Sequence, residues 1–119
     1  IYILKDASKN NWSGKVELMH EPINPPEKEM ISTQPFLTKD GMTMYFTTNR
    51  GDIPGIVGPA IYKSTRNGDE WSTPEPVAWG QFGVGEPTMP DDRSRLYYIQ
   101  VYRNDKNEFT SGMGFLSKK

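Results

Sequence analysis

The sequence predicts an all-β fold made of repeated antiparallel sheets, and three observations lead there. The segment Gln34-Pro35-Phe36-Leu37-Thr38-Lys39-Asp40-Gly41-Met42-Thr43-Met44-Tyr45-Phe46 is answered 52 positions later by Glu86-Pro87-Thr88-Met89-Pro90-Asp91-Asp92-Arg93-Ser94-Arg95-Leu96-Tyr97-Tyr98, with Pro, Asp and Tyr in register. Short runs rich in Tyr, Phe, Ile and Thr alternate with clusters of Gly, Pro, Asn and Asp, the pattern of strands and turns, and no window shows a helical period. A turn-rich repeat of ~50 residues points to the stacked sheets of a β-propeller rather than to a self-contained globule.

The elements follow in order. Ile61-Tyr62-Lys63-Ser64-Thr65-Arg66-Asn67-Gly68-Asp69-Glu70-Trp71-Ser72 echoes the opening Ile1-Tyr2-Ile3-Leu4 through Lys9-Asn10-Asn11-Trp12-Ser13, with one extra residue in the turn. Phe115-Leu116-Ser117-Lys118 repeats Tyr62-Lys63-Ser64 once more. Strands are expected near residues 1–5, 13–18, 33–37, 43–48, 59–64, 76–79, 86–89, 95–102 and 112–117. They divide the single domain 1–119 into a part-blade 1–18, a blade about 33–79 and a part-blade about 86–117, so that about two four-stranded antiparallel blades plus part-blades are present. Asp40-Gly41 and Asp92-Arg93 fall between strands and are expected to form hairpin turns. Leu37, Tyr45, Phe46, Tyr62, Met89, Tyr97, Tyr98 and Phe115 are expected to pack between successive sheets, and Trp12 and Trp71 to cover sheet edges.

A propeller needs about four to eight blades, and these residues supply little more than two. Repeat units need stacked neighbours to cover their open faces. The expected partners are therefore the remaining blades, from a longer polypeptide, from identical copies or from another chain. Ile1 in place of an initiator Met fits the first of these, a fragment of a larger propeller, and the atypical last repeat fits the C-terminal portion of one.

Composition excludes several classes. Fourteen basic residues balance 15 acidic ones for a net charge of −1, with no basic stripe to neutralise phosphates, so no nucleic-acid partner is expected. No apolar run reaches the ~18 residues of a spanning helix and no signal-peptide core is present, so no membrane span is expected. The absence of cysteine removes disulfides and thiol chemistry.

The variable surface lies in the loops. Trp12 precedes Gln34 by 22 positions, whereas Trp71 precedes Glu86 by 15, which places an insertion around His20-Glu21-Pro22-Ile23-Asn24-Pro25-Pro26-Glu27-Lys28-Glu29. Its prolines cannot serve a central strand, so an exposed loop is expected there. A second loop, 49–59, joins the second and third strands of a blade, and 103–112 is its more polar counterpart. Loops of this kind are where a rigid scaffold usually holds its binding residues.

Pro35 to Gly51, followed by Ile61-Tyr62 and Trp71-Ser72-Thr73-Pro74-Glu75-Pro76-Val77, resembles the TolB-type (WD-repeat-like) β-propeller repeat of bacterial envelope proteins. That repeat combines an E-P element leading into a strand, a D-G turn, an L-Y-F strand, an N-R corner, a Gly-rich loop and a D-I-Y strand. This chain departs from it at Ala60 and Gly114, where an acid usually precedes I-Y, at Gln34 in place of Glu, and at Val101-Tyr102-Arg103 in place of the Asn-Arg corner. The resemblance implies a non-catalytic binding or scaffold module, periplasmic or extracellular, or anchored as a lipoprotein through upstream residues. It would present a loop face to a protein, peptide or glycan.

Arg50, Asp52, Trp79, Gln81, Glu86, Tyr102 and Arg103 flank strand ends and are the candidate binding residues. Catalysis has little support, and no catalytic residue, cofactor or metal is assigned. His20 is the only histidine and sits in the Pro-rich loop without a nucleophile elbow, and no His/Cys cluster or calcium-loop pattern occurs. Carboxylates such as Asp52, Glu86, Asp91 and Asp92 leave open a glycan-active hydrolase or lyase completed by other blades, in which two acids converge. Arg50-Gly51-Asp52 spells an adhesion tripeptide, but its Asn-Arg-Gly part already belongs to the repeat. Asn11-Trp12-Ser13 is a formal glycosylation acceptor. Ser64 to Trp71 has the spacing of a sialidase-type turn box, with Arg66 at its usual Asp, and such a box is a structural turn.

Overall fold

A computed structural model describes residues 1–9 and 11–117. Asn10 of the first echo and Lys118 and Lys119 of the last lie outside the described residues. The described residues form ten strands: β1 (Tyr2–Leu4), β2 (Val16–Leu18), β3 (Ser32–Leu37), β4 (Thr43–Thr48), β5 (Ala60–Asn67), β6 (Glu70–Trp71), β7 (Glu75–Ala78), β8 (Val84–Thr88), β9 (Arg95–Arg103) and β10 (Phe109–Ser117). The fold is all-β, with several antiparallel sheets and no closed barrel.

The central sheet is an antiparallel meander in the order β3-β4-β5-β7, with β6 folding back on the far end of β5. On one side lies the β1-β2 pair and on the other the three-stranded sheet β8-β9-β10. The radius of gyration of 15.5 Å exceeds the roughly 13.5 Å of a compact chain of this length, as a stack of layers requires.

Strand periodicity explains the packing. Phe46 pairs with Tyr62 and Tyr45 with Lys63, so Met44, Phe46, Ala60 and Tyr62 share one face, and Tyr45, Thr47 and Ile61 share the other. The first face packs with Met19 and Ile23, and the second with Ala78, Val84 and Leu96. Both faces are covered, and Phe46 and Ile61 are fully buried, each contributing about 1.5–3 kcal/mol of burial. The Pro-rich insertion forms a loop as expected, but it is not wholly exposed. Ile23 is completely buried, because two short strands cannot cover the face that the insertion helps to fill.

The repeated Gln34-Pro35 and Glu86-Pro87 elements are β-bulges. Gln34 and Glu86 have φ of 50° and 56°, and the register slips between Thr33 and Phe36 and again between Gly85 and Thr88. The two bulges lie side by side on neighbouring sheets. Gln34 Oε1 accepts the Glu86 N–H at 3.1 Å, and Thr47 Oγ1 accepts the same N–H at 3.3 Å. At the opposite end the hairpin turns also meet: Arg93 donates to Asp40, and Lys39 Nζ lies 2.7 Å from Asp91.

The third echo lands one residue out of phase. Gly114 sits opposite Tyr98, where Tyr62 sits opposite Phe46, and Phe115 sits opposite Tyr97, where Lys63 sits opposite Tyr45. A one-residue slip reverses the faces, so Phe115 points away from the core and is 53% exposed, against the expectation of burial. The cause is the tight 104–108 turn. Asn104 Oδ1 accepts the N–H groups of Lys106 and Glu108 at 3.0 and 2.9 Å, closing a regular hairpin in place of the long 49–59 loop. The Tyr98 ring then covers the bare Gly114, where a Cβ would lie 2.9 Å from it. Leu37 is likewise half-exposed, and Trp12 is 77% exposed while Trp71 packs against the core.

Candidate functional site

Register decides which loops meet. Ser32 pairs with Thr48, Thr48 with Ala60, and Ile61 with Ala78, so segments 19–31, 49–59 and 79–83 emerge at one end of the central sheet. Val84 pairs with Gln100 and Phe109 with Arg103, which brings 79–83 and 104–108 to the same end of the third sheet. All seven candidate residues lie at this loop end or on the strands just below it.

Two loops cross tightly there. Pro59 C=O accepts the Val84 N–H at 2.9 Å, and Gly83 C=O accepts the Val101 N–H at 3.0 Å. A Cβ on Gly58 would stand 2.6 Å from the Gly83 nitrogen, and one on Gly83, whose φ is 107°, 2.8 Å from the Pro59 ring. Glycine at both positions permits the crossing. Glu86, Gln34, Phe82, Ile99 and Val101 line a cavity of about 210 Å³ beside it.

Arg50 and Asp52 line a separate groove of about 250 Å³ with Glu21, Pro22, Pro26 and Glu27. Arg50 faces inward: its guanidinium donates to the Pro22 carbonyl and, at 2.8 Å, to the Ile23 carbonyl, and it lies 5.8 Å from the Phe46 ring centroid. Burial pushes it below the ordinary arginine value, opposed by the charges of Asp52, Tyr62 and Glu27. Burial, then the Asp52 carboxylate, raises Tyr62. Arg50 therefore ties the Pro-rich loop to the core through Nη2, which turns the guanidinium of the Arg50-Gly51-Asp52 tripeptide inward.

Gln81, Tyr102 and Arg103 come together around a cavity of about 390 Å³, with Phe82, Gln100 and Val101. The Arg103 guanidinium stacks 5.5 Å from the Phe82 centroid and 4.7 Å from that of Phe109, and the two rings meet edge to face at 5.4 Å. Its Nη1 donates to Asn107 Oδ1 at 2.7 Å. Trp79 lines none of these hollows and is 50% exposed at the end of β7. Phe82 and Phe109 are not among the residues expected from the sequence, where the available signal was an aromatic next to the candidate Gln81 and another within the 103–112 loop.

A further hollow of about 480 Å³ lies where β1-β2 incompletely covers the central sheet, lined by Ile3, Glu17, His20, Leu37, Met44 and Trp71 among others. Among the described residues no group of three or more His, Cys, Asp or Glu side chains is placed to hold a metal ion, and no helix is long and apolar enough to cross a membrane. Compared with known proteins, the chain matches no protein-family model, no curated protein and no solved structure.

Proposed function

We propose that this chain is a TolB-type β-propeller portion, a non-catalytic binding or scaffold module of a bacterial envelope or secreted protein, which engages a protein, peptide or glycan at its loop end. The observation that supports binding is the convergence of four connecting segments on one end, with the Arg103–Phe82–Phe109 cluster and its cavity held between two of them. The propeller assignment is supported by the repeated bulge, which joins successive sheets through Gln34 and Glu86, and by their face-to-face packing. It is supported too by an uncovered surface. The face of the central sheet bearing Tyr45 and Ile61 is covered by the third sheet, whereas the equivalent face of the third sheet leaves Met113 74% exposed beside Phe115. Further blades, from the same or another chain, are the partners this face calls for.

Peptide and glycan arrays probed with the full chain test the binding assignment. Ligand retention should fall on Tyr102→Ala or Arg103→Gln at the loop end and persist on Lys39→Ala at the turn end, with no product released. Loss confined to the turn-end variant would sink the reading. Sugar turnover abolished by Glu86→Gln or Asp52→Asn would replace it with the hydrolase or lyase alternative.

A further inference from the structure

The two large sheets differ at one edge. In the central sheet β5 is covered by β7, with Lys63 and Glu75 joined across the pair at 3.7 Å, whereas its counterpart β10 ends the third sheet. Two hydrogen bonds fix which groups β10 turns outward. Val101 N–H donates to the Gly83 carbonyl and Asn104 N–H to the Glu108 carbonyl, each at 3.0 Å, so odd-numbered residues of β9 bond to β8 and even-numbered ones to β10. By the same alternation Thr110, Gly112 and Gly114 turn their N–H and C=O groups to β9, and Phe109, Ser111, Met113 and Phe115 turn theirs to the open edge.

Other edges are guarded. Among the described residues, β3 and β8 each carry a proline at a bulge, β7 carries Glu75-Pro76, and β1, β2 and β6 span only two or three residues. By contrast, β10 runs nine residues in unbroken register with no proline and no charge. Two cations reach its ends from β9. The Arg95 guanidinium lies 4.9 Å from the Phe115 ring centroid and that of Arg103 lies 4.7 Å from that of Phe109, on the face that bears Met113. Among the described residues neither arginine has a carboxylate partner.

From this we infer that the open edge of β10 docks an extended segment of a partner protein that carries acidic and apolar residues, added antiparallel as a fourth strand as β7 is on β5. Main-chain bonds to Ser111 and Met113 hold it, and apolar side chains opposite them cover Met113. Carboxylates opposite Phe109 and Phe115, about 20 Å apart along the strand, pair with Arg103 and Arg95. This edge lies apart from the loop-end hollows, and the inference goes beyond the binding reading given for them.

The probe is a blocked peptide, Thr-Glu-Thr-Val-Thr-Val-Thr-Glu-Thr, titrated calorimetrically into the full chain. It should bind, and N-methylation of its two valines, whose N–H groups face β10, should abolish binding. Replacing both glutamates with lysine should weaken binding about tenfold or more, and added salt should weaken the acidic peptide alone. Ser111→Pro removes an outward N–H at an exposed position and should weaken the acidic peptide about tenfold, and Arg95→Gln should narrow its advantage over a glutamine version. The altered peptides leave the protein untouched, so the inference is tested even if Ser111→Pro folds poorly. No binding, equal binding of the acidic and lysine peptides, or binding indifferent to N-methylation overturns it. A dimer in sedimentation that Ser111→Pro dissociates and the peptide does not would assign the edge to a second copy and overturns it as well. In each of these cases the loop-end reading, with its own Tyr102→Ala readout, stands unaffected.

Discussion

The central sheet and the C-terminal sheet start from nearly the same pattern, with Met44-Tyr45-Phe46 answered by Leu96-Tyr97-Tyr98, yet they end with opposite surroundings. In the first, the third strand places Tyr62 opposite Phe46 and both are buried. In the second, a tight turn brings Gly114 to that position and sends Phe115 to the outer face. The long 49–59 loop leaves the phase of β5 free to follow the core, whereas a short locked hairpin imposes its own register. Turn length, rather than strand composition, decided which aromatic enters the core.

The largest effect expected from this contrast is in aromatic truncation. Phe46→Ala should cost about 3–5 kcal/mol by urea denaturation, whereas Phe115→Ala should cost less than about 1 kcal/mol, because it leaves no enclosed cavity. Comparable losses at the two positions would mean that the third sheet is covered on both sides.

Next in size are the glycine contacts. Gly58→Ala meets the Gly83 backbone and should cost roughly 1–3 kcal/mol, read as a lowered urea midpoint. Gly114→Ala meets the Tyr98 ring, a side chain able to rotate aside, and should cost less.

A smaller change is expected on the outer face. Met113→Lys should leave stability within about 0.5 kcal/mol of the parent while reducing concentration-dependent association in sedimentation. The same charge at Met44, which is buried in the core, should unfold the protein.

The smallest effect compares the two hairpin turns. The Met42 N–H, the Thr38 hydroxyl and Arg93 hold the Asp40 carboxyl down at about 2 from its ordinary 3.8. Since the folded value is depressed, its stabilisation is present above 3.8 and is lost as pH falls toward 2. Asp40→Asn should therefore flatten the acid limb of the stability curve between those values, and an unchanged limb would show that the turn contributes nothing there. Its counterpart places Arg93 at φ 56° where the first turn has Gly41 at 71°, so the second turn holds a side chain in the left-handed region while also pairing it with Asp40.

Much of the fold could be read from local signals. Alternation around Met44–Phe46 and Leu96–Tyr98, Asp-Gly and its degenerate copy, and the bounding prolines located nearly every strand. The exceptions were β6, which is only two residues long, and the early part of β10, whose Phe109-Thr110-Ser111 reads as loop until the Asn104 turn pairs it with Val101–Arg103. The candidate site was partly legible. Gln81, Tyr102 and Arg103 were named for lying near strand ends and do converge, but Phe82 and Phe109, which orient the guanidinium, belong to segments that meet only in space.

Strand identity, turn positions and the repeat are properties of neighbouring residues, since backbone sterics and side-chain alternation act over a few positions. The out-of-phase Phe115, the inward Arg50, the burial of Ile23 and the aromatic seat of Arg103 were settled only when sheets stacked and loops crossed. Each depends on which distant atoms fill the space beside it, and no local pattern encodes that.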